Sequence, residues 1–239
     1  MLNIQILVIS LERAQSRREK VALELGKTGL HWQFLDAVDG AQLNMPISGY
    51  LDKKVRRLLG FPLTHSELGC FLSHRAAWEH CVRTNQITLV FEDDFVLSPD
   101  FEKELNLLLG YASDWQLVRL QGLVEVDFTS IRPINGHQLV HNHQDPLGAT
   151  AYILNPDAAT ALIKHAQCIF EPLDHYLEHE KVHGVGMLAM KPYPVWINGL
   201  TSTISDRPQR LPISGHRKQI RSFWRWLDRL TNPHPWFPK

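Results

Sequence analysis

Cysteine is scarce in this chain, and what is there forms no pattern. Cys70, Cys81 and Cys168 include no C-x-x-C pair, which excludes a disulfide framework and predicts a reducing compartment. Excess charge is missing too: 25 basic residues balance 25 acidic ones, for a formal net charge of +0. A broad nucleic-acid footprint is therefore not expected. No apolar run approaches the length of a transmembrane helix. Met1 to Leu11 is apolar but lacks a basic leader region and a small-residue cleavage site. A secretory leader is not expected, and the predicted location is cytoplasmic. Neither G-x-S-x-G nor a P-loop occurs, and there is no internal repeat or low-complexity linker. What remains is a chain of 239 residues, 44% hydrophobic and 21% charged. That is the composition of a soluble globular protein with room for one large domain or two small ones.

The most informative stretch is Ile87-Thr88-Leu89-Val90-Phe91-Glu92-Asp93-Asp94-Phe95. Five residues with the character of a strand buried on both faces run straight into three carboxylates. The acids then fall at the strand's C-terminal end, outside which open α/β sheets bind ligands. Adjacent like charges raise one another's pKa, and a cation relieves that cost. Carboxylate oxygens suit hard ions such as magnesium or manganese, which keep positions open for phosphate oxygens. A solvated acidic turn is the plain alternative.

From the N-terminus, Ile4 to Ile9 reads as a strand ending at Ser10. Ser16-Arg17-Arg18-Glu19 is a capping-box pattern opening a helix that fades at Gly26 or Gly29. His31 to Leu35 reads as a second strand ending in Asp36. This βαβ unit sets Ser10, Arg13, Arg17 and Asp36 near one edge. Arg13, Arg17 and Arg18 read as a solvated helix start, but three arginines at a helix N-terminus oppose its dipole, which makes an anionic ligand the rival reading. Lys53, Lys54, Arg56 and Arg57 read as an exposed helical face. Thr64-His65-Ser66-Glu67 is a second capping box, and the helix after it carries His74. Ser98-Pro99 predicts a helix to Leu109. Strands are predicted at 116–120, 124–128, 138–141, 148–154, 185–190 and 195–197. Helices are predicted after Asn155-Pro156 and over 173–181. Early alternation followed by irregular strands predicts one α/β domain with a mixed sheet over residues 1–216.

Residues 217–239 differ. Arg217, Lys218, Arg221, Arg225 and Arg229 interleave with Ile220, Phe223, Trp224, Leu227 and Leu230 at helical spacing. A basic amphipathic helix suits an anionic membrane surface; a helix packed on the domain is the equal alternative. That tail also leaves open a non-catalytic, membrane-associated binding module. Another reading comes from His175-Tyr176-Leu177-Glu178-His179, which fits the H-x-x-E-H pattern of zinc peptidases. Two histidines four apart share a helix face and can hold zinc. No glutamate follows Glu180 to serve as a further ligand. Gly184-Val185-Gly186-Met187-Leu188-Ala189 opens no helix and is not read as a dinucleotide site.

Four segments together resemble glycosyltransferase family 25, the lipooligosaccharide biosynthesis enzymes of Gram-negative bacteria. They are Val8-Ile9-Ser10-Leu11 with Arg17-Arg18; Leu63-Thr64 through Glu67-Leu68-Gly69-Cys70 to Leu72-Ser73-His74; Val90 to Asp94; and Gly148-Ala149-Thr150-Ala151-Tyr152. The resemblance implies a GT-A-like fold, with a Rossmann-type nucleotide-binding half joined to an acceptor-binding C-terminal half. It implies inverting, metal-dependent transfer from a UDP-sugar, most often UDP-galactose, to a lipooligosaccharide acceptor. The cofactor would be Mn2+ or Mg2+ on Glu92 and Asp94, with Asp93 at the donor.

Ser10, Arg17 and Asp36 are then candidates for uridine and phosphate contacts. Glu67 and His74, seven apart on one helix, are candidates at the same pocket, with capping the rival role for Glu67. An inverting enzyme also needs a base. Asp174, after Pro172 in the acceptor half, is the candidate, with N-capping as its rival role and Glu125 and Asp127 as alternates. The tail would give peripheral contact with the anionic inner face of the cytoplasmic membrane.

Overall fold

The computed structural model describes residues 4–197, together with Ser222. Apart from that one position, the basic tail at 217–239 and the boundary drawn at 216 lie outside the described residues.

A parallel trio forms one half of the main sheet. Strand β1 (Gln5–Ser10) lies between β2 (Gln33–Asp36) and β3 (Thr88–Glu92), parallel to both. The sheet continues through β8 (Ala151–Leu154), antiparallel to β3, and then β5 (Leu117–Arg119) and β9 (Met187–Lys191), which are parallel to each other. It ends in the hairpin of β7 (His137–Asn142) and β6 (Phe128–Ile134). The order is β2-β1-β3-β8-β5-β9-β7-β6. A Rossmann-type half passing through an antiparallel strand into an irregular half is the GT-A-like mixed α/β plan that the resemblance implies. Strands β4 (Phe95–Leu97) and β10 (Val195–Ile197) pair separately.

Helices cover both faces, which is why the central strands are nearly continuous apolar runs. Side chains alternate across the sheet. Leu7, Ile9, Val90, Tyr152 and Leu154 pack with α2 (Asp52–Leu59), α3 (His65–Thr84), α5 (Pro156–His165) and α6 (Leu173–Leu177). Ile6, Val8, Leu89, Phe91 and Ile153 face the other layer, α1 (Gln15–Leu25) and α4 (Phe101–Leu109).

Caps decide where several helices begin. Thr64 Oγ1 accepts from the Glu67 amide at 3.1 Å and Glu67 Oε2 accepts from the Thr64 amide at 2.9 Å, so the second capping box forms as read. Asn155 caps α5 by accepting from the Ala158 amide at 2.8 Å, with Pro156 in the first turn.

The first capping box does not form. Helix α1 starts at Gln15, one residue before Ser16, and the capping position is Ala14 with no side-chain bond. A turn from Leu11 to Ala14 carries the chain straight into the helix. Helix α4 begins at Phe101, two residues beyond Pro99, and the Ser98 hydroxyl is spent on Glu104. No strand covers 124–127. Strand β6 begins at Phe128 and tolerates Pro133 because it lies at the sheet edge. Residues 148–150 precede β8 rather than join it. The helix read over 173–181 is two short ones, α6 and α7 (Glu180–His183), broken at Glu178 and His179.

Candidate active site

The sheet register builds the site. Ile9 of β1 pairs with Glu92 of β3, so Ser10 arrives beside Asp93. Antiparallel β8 brings Thr150 to Glu92, whose amide donates to the Thr150 carbonyl at 2.9 Å. Helix α3 lies over this edge, and the 37–40 loop lies directly on the helix. A side-chain carbon at Gly69 would come 2.6 Å from the Val38 carbonyl oxygen, and one at Gly40 would come 2.5 Å from that of His65. Neither position has room for any residue but glycine. The Val38 amide donates to Ser73 Oγ at 2.8 Å, tying the loop to the helix.

The three carboxylates have three different surroundings. Glu92 Oε1 lies 3.4 Å from His74 Nε2 and 3.7 Å from Cys70 Sγ, and Oε2 accepts from Thr150 Oγ1 at 3.3 Å. Burial pushes its carboxyl up, but the His74, Thr150 and Cys70 contacts outweigh that and hold it below the usual range. His74 is fully buried, and its Nδ1 lies 2.9 Å from the Tyr152 hydroxyl, to which Trp78 Nε1 donates at 2.9 Å. Indole only donates. With a neutral imidazole, the arrangement that satisfies every group runs one way: Trp78 to Tyr152, Tyr152 to His74 Nδ1, His74 Nε2 to Glu92.

Asp93 accepts from Ser10 Oγ at 2.6 Å and from Arg17 Nη1 at 2.5 Å. Asp94 differs from both. Its Oδ1 is buried and has no hydrogen-bond partner among the described residues. Burial, then the charge of Glu92, partly offset by Arg17 and with a smaller push from Asp93, drive its carboxyl up to about 6. A buried acceptor with no donor, beside two further carboxylates, fits a hard divalent cation. Glu92 and Asp94 are the residues that could hold one.

One cleft gathers Ser10, Arg17, His74, Glu92, Asp93 and Asp94 from the candidate set, and adds Arg13, Asp39, Cys70 and Ser73. Arg13 grips Asp39 through two bonds, of 2.8 and 3.1 Å. Three candidates stand elsewhere. Asp36 is exposed at the sheet edge and paired with Arg18. Glu67 is buried and used in the capping box. Asp174 lies in the acceptor half, outside the cleft wall; Pro172 holds the capping position of α6, so Asp174 is not its N-cap. Glu125 is tied to Lys191 at 2.5 Å.

Cys70, Thr150 and Tyr152 were missed as site residues. They sat in segments that carry the family resemblance, but only the fold shows that both segments close on Glu92. The zinc site read from His175 and His179 is not built. The helix breaks between them, His179 turns inward to Glu171 at 3.0 Å, and His175 faces Asp145. Among the described residues no helix is long and apolar enough to cross a membrane.

Comparison with known proteins fits this geometry. The family described as glycosyltransferase family 25 (LPS biosynthesis protein) matches residues 3–177, and the chain belongs to that family. Procollagen galactosyltransferase 2 of Homo sapiens is 33% identical over 128 residues, covering 48% of this chain and 20% of that protein. Inactive glycosyltransferase 25 family member 3 of Mus musculus is 36% identical over 115 residues, covering 44% and 19%. Lipooligosaccharide biosynthesis protein lic2B of Haemophilus influenzae is 26% identical over 167 residues, covering 66% and 62%. The chain thus spans about a fifth of the length of the animal relatives. One of these relatives is named inactive, so the cleft itself has to carry the argument for activity.

Proposed function

We propose that the chain is an inverting glycosyltransferase that moves a sugar, galactose from UDP-galactose, onto a lipooligosaccharide acceptor with the help of Mn2+ or Mg2+. The unpartnered Oδ1 of Asp94 carries the reading. Glu92 and Asp93 each have side-chain partners in the protein, whereas Asp94 has a buried oxygen with no hydrogen-bond partner among the described residues. Held by Glu92 and Asp94, a divalent ion supplies neutralisation of the diphosphate leaving group. The chain's residues do the rest. Arg17, fixed by Asp93, and Arg13, fixed by Asp39, present positive charge to phosphate from one wall of the cleft. His74 steadies Glu92 from below.

The base is assigned to Asp174. Inversion needs the acceptor oxygen to approach opposite the leaving group, so its proton must be taken by a residue other than the metal-side acids. In the acceptor half Glu171 is buried against His179 and Glu178 is bound to Arg119, whereas among the described residues no ion pair occupies Asp174. The basic residues between Arg217 and Arg229 suit contact with an anionic inner membrane surface, each contributing about 1 kcal/mol. Truncation after His216 should lower binding to anionic vesicles.

The deciding experiment is a panel of UDP-sugars with manganese, scored for released UDP in the presence of acceptor. UDP-galactose turnover that stops on chelation is the expected result. Absence of UDP release with every donor would contradict the reading.

A further inference from the structure

Cys70, His74 and Glu92 bring three different ligand atoms together at the floor of the cleft. Sγ, an imidazole nitrogen and a carboxylate oxygen all lie within 4.8 Å of one another. Cys70 and His74 are four apart on α3 and so share a face. Glu92 meets that face from the end of β3.

Two of the three edges match those of a tetrahedral site. Zinc binds thiolate at about 2.3 Å and imidazole or carboxylate at about 2.0–2.2 Å. A tetrahedral angle then sets the sulfur-to-oxygen edge at about 3.5 Å and the nitrogen-to-oxygen edge at about 3.3 Å. The observed edges are 3.7 Å and 3.4 Å. Little movement is needed to close the three ligands on an ion. All three residues line the cleft wall, so the fourth position opens to solvent or ligand.

The frame is also rigid. Helix α3 is fixed by its capping box and by the Gly69 contact, and His74 is held by the Tyr152 hydroxyl. With Nε2 on a metal, Nδ1 carries the proton and donates to Tyr152, an outer partner of the kind that orients ligating histidines.

We propose that Cys70, His74 and Glu92 form a second metal site in the cleft, open at one position and selective for a borderline-soft divalent ion such as Zn2+. Thiolate and imidazole favour zinc over magnesium and manganese, whereas carboxylates alone favour the hard ions. The site shares Glu92 with the hard-cation position at Asp94. Zinc bound there withdraws Glu92 from that position, so the two ions compete. Only this last consequence depends on the metal-dependent reading given above; the zinc site itself does not.

Cobalt(II) is the probe, because its absorption reports tetrahedral geometry and its charge-transfer band reports thiolate. Full-length, metal-stripped protein titrated with Co2+ should show both, and Zn2+ should displace them. Cys70→Ser should remove the charge-transfer band and weaken Zn2+ affinity more than about 100-fold, beyond the loss of an outer partner. Cys168→Ser, which changes an exposed cysteine, should keep both. Glu92→Gln should retain the charge-transfer band and weaken Zn2+ binding. A wild-type protein without a thiolate band would overturn the proposal. So would a band that survives in Cys70→Ser, or disappears in Cys168→Ser.

Discussion

Two groups of acids face each other across this fold, and they balance their charge in different ways. In the acceptor half the two most buried carboxylates, Glu171 and Glu178, each meet a partner within the protein, and Asp145, whose buried Oδ2 accepts no hydrogen bond among the described residues, lies 3.7 Å from His175. Arg119, only 2% exposed, binds Glu178 through Nε at 3.0 Å and Nη2 at 2.5 Å. Glu171 meets His179 at 3.0 Å. In the cleft Arg17 pairs with Asp93, and Asp94 Oδ1 has no hydrogen-bond partner among the described residues. The first group is what a fold does when it must bury charge. The second is left incomplete, which is what a site does when a ligand completes it.

The sharpest way to break that contrast is to remove a charge from the balanced group. Arg119→Met should leave Glu178 without its partner and cost about 3–5 kcal/mol, the usual penalty for half of a buried pair. Urea denaturation measures it. A loss near zero would mean that the acceptor-half pairs are not structural. Asp174, which has no ion pair among the described residues, should behave in the opposite way. Asp174→Asn should keep its stability and UDP-sugar affinity while losing transfer by roughly 10²–10⁴-fold. Calorimetry beside turnover at saturating acceptor separates the two. Lost donor affinity would give Asp174 a binding role, and unchanged turnover would move the base elsewhere.

The two regions should also carry opposite pH signatures in metal-free protein. Asp94 is pushed up to about 6, whereas an unfolded aspartate sits near about 3.9. The unfolded state loses its proton first, so stability falls by roughly 3 kcal/mol as pH rises from about 4 to about 6. His183 is the reverse case. Burial, partly offset by its bond to the Tyr176 carbonyl, lowers it to about 4. The unfolded state then takes up its proton first, and stability falls by roughly 3 kcal/mol as pH drops from about 6.5 to about 4. Asp94→Asn should abolish the first loss and keep the second, and His183→Gln should do the converse. Identical pH profiles for wild type and Asp94→Asn would remove the electrostatic case for Asp94.

Much of the cleft was legible because its signals are local. A buried strand running into three acids, a Thr-x-x-Glu cap and an Asn-Pro cap each depend on residues a few positions apart, and the fold uses them as read. The failures come from contacts distant in sequence. Glu178 and His179 break their helix because Arg119 and Glu171 draw them inward. Asp36 looked like a ligand at a strand end, but Arg18 from the neighbouring helix takes it. Which acid of the triplet is held and which is left open is decided by Ser10, Arg17, Cys70, His74 and Thr150. These lie on four different elements or loops, so spacing along the chain could not rank the three.

Manganese titration of metal-stripped wild type and Asp94→Asn, followed by calorimetry with UDP present, tests the central claim most directly. Wild type should bind Mn2+ with release of protons near pH 6, where Asp94 is half protonated. Asp94→Asn should bind at least about 10-fold more weakly and without that release. Equal affinity and equal proton release in the two proteins would contradict the account.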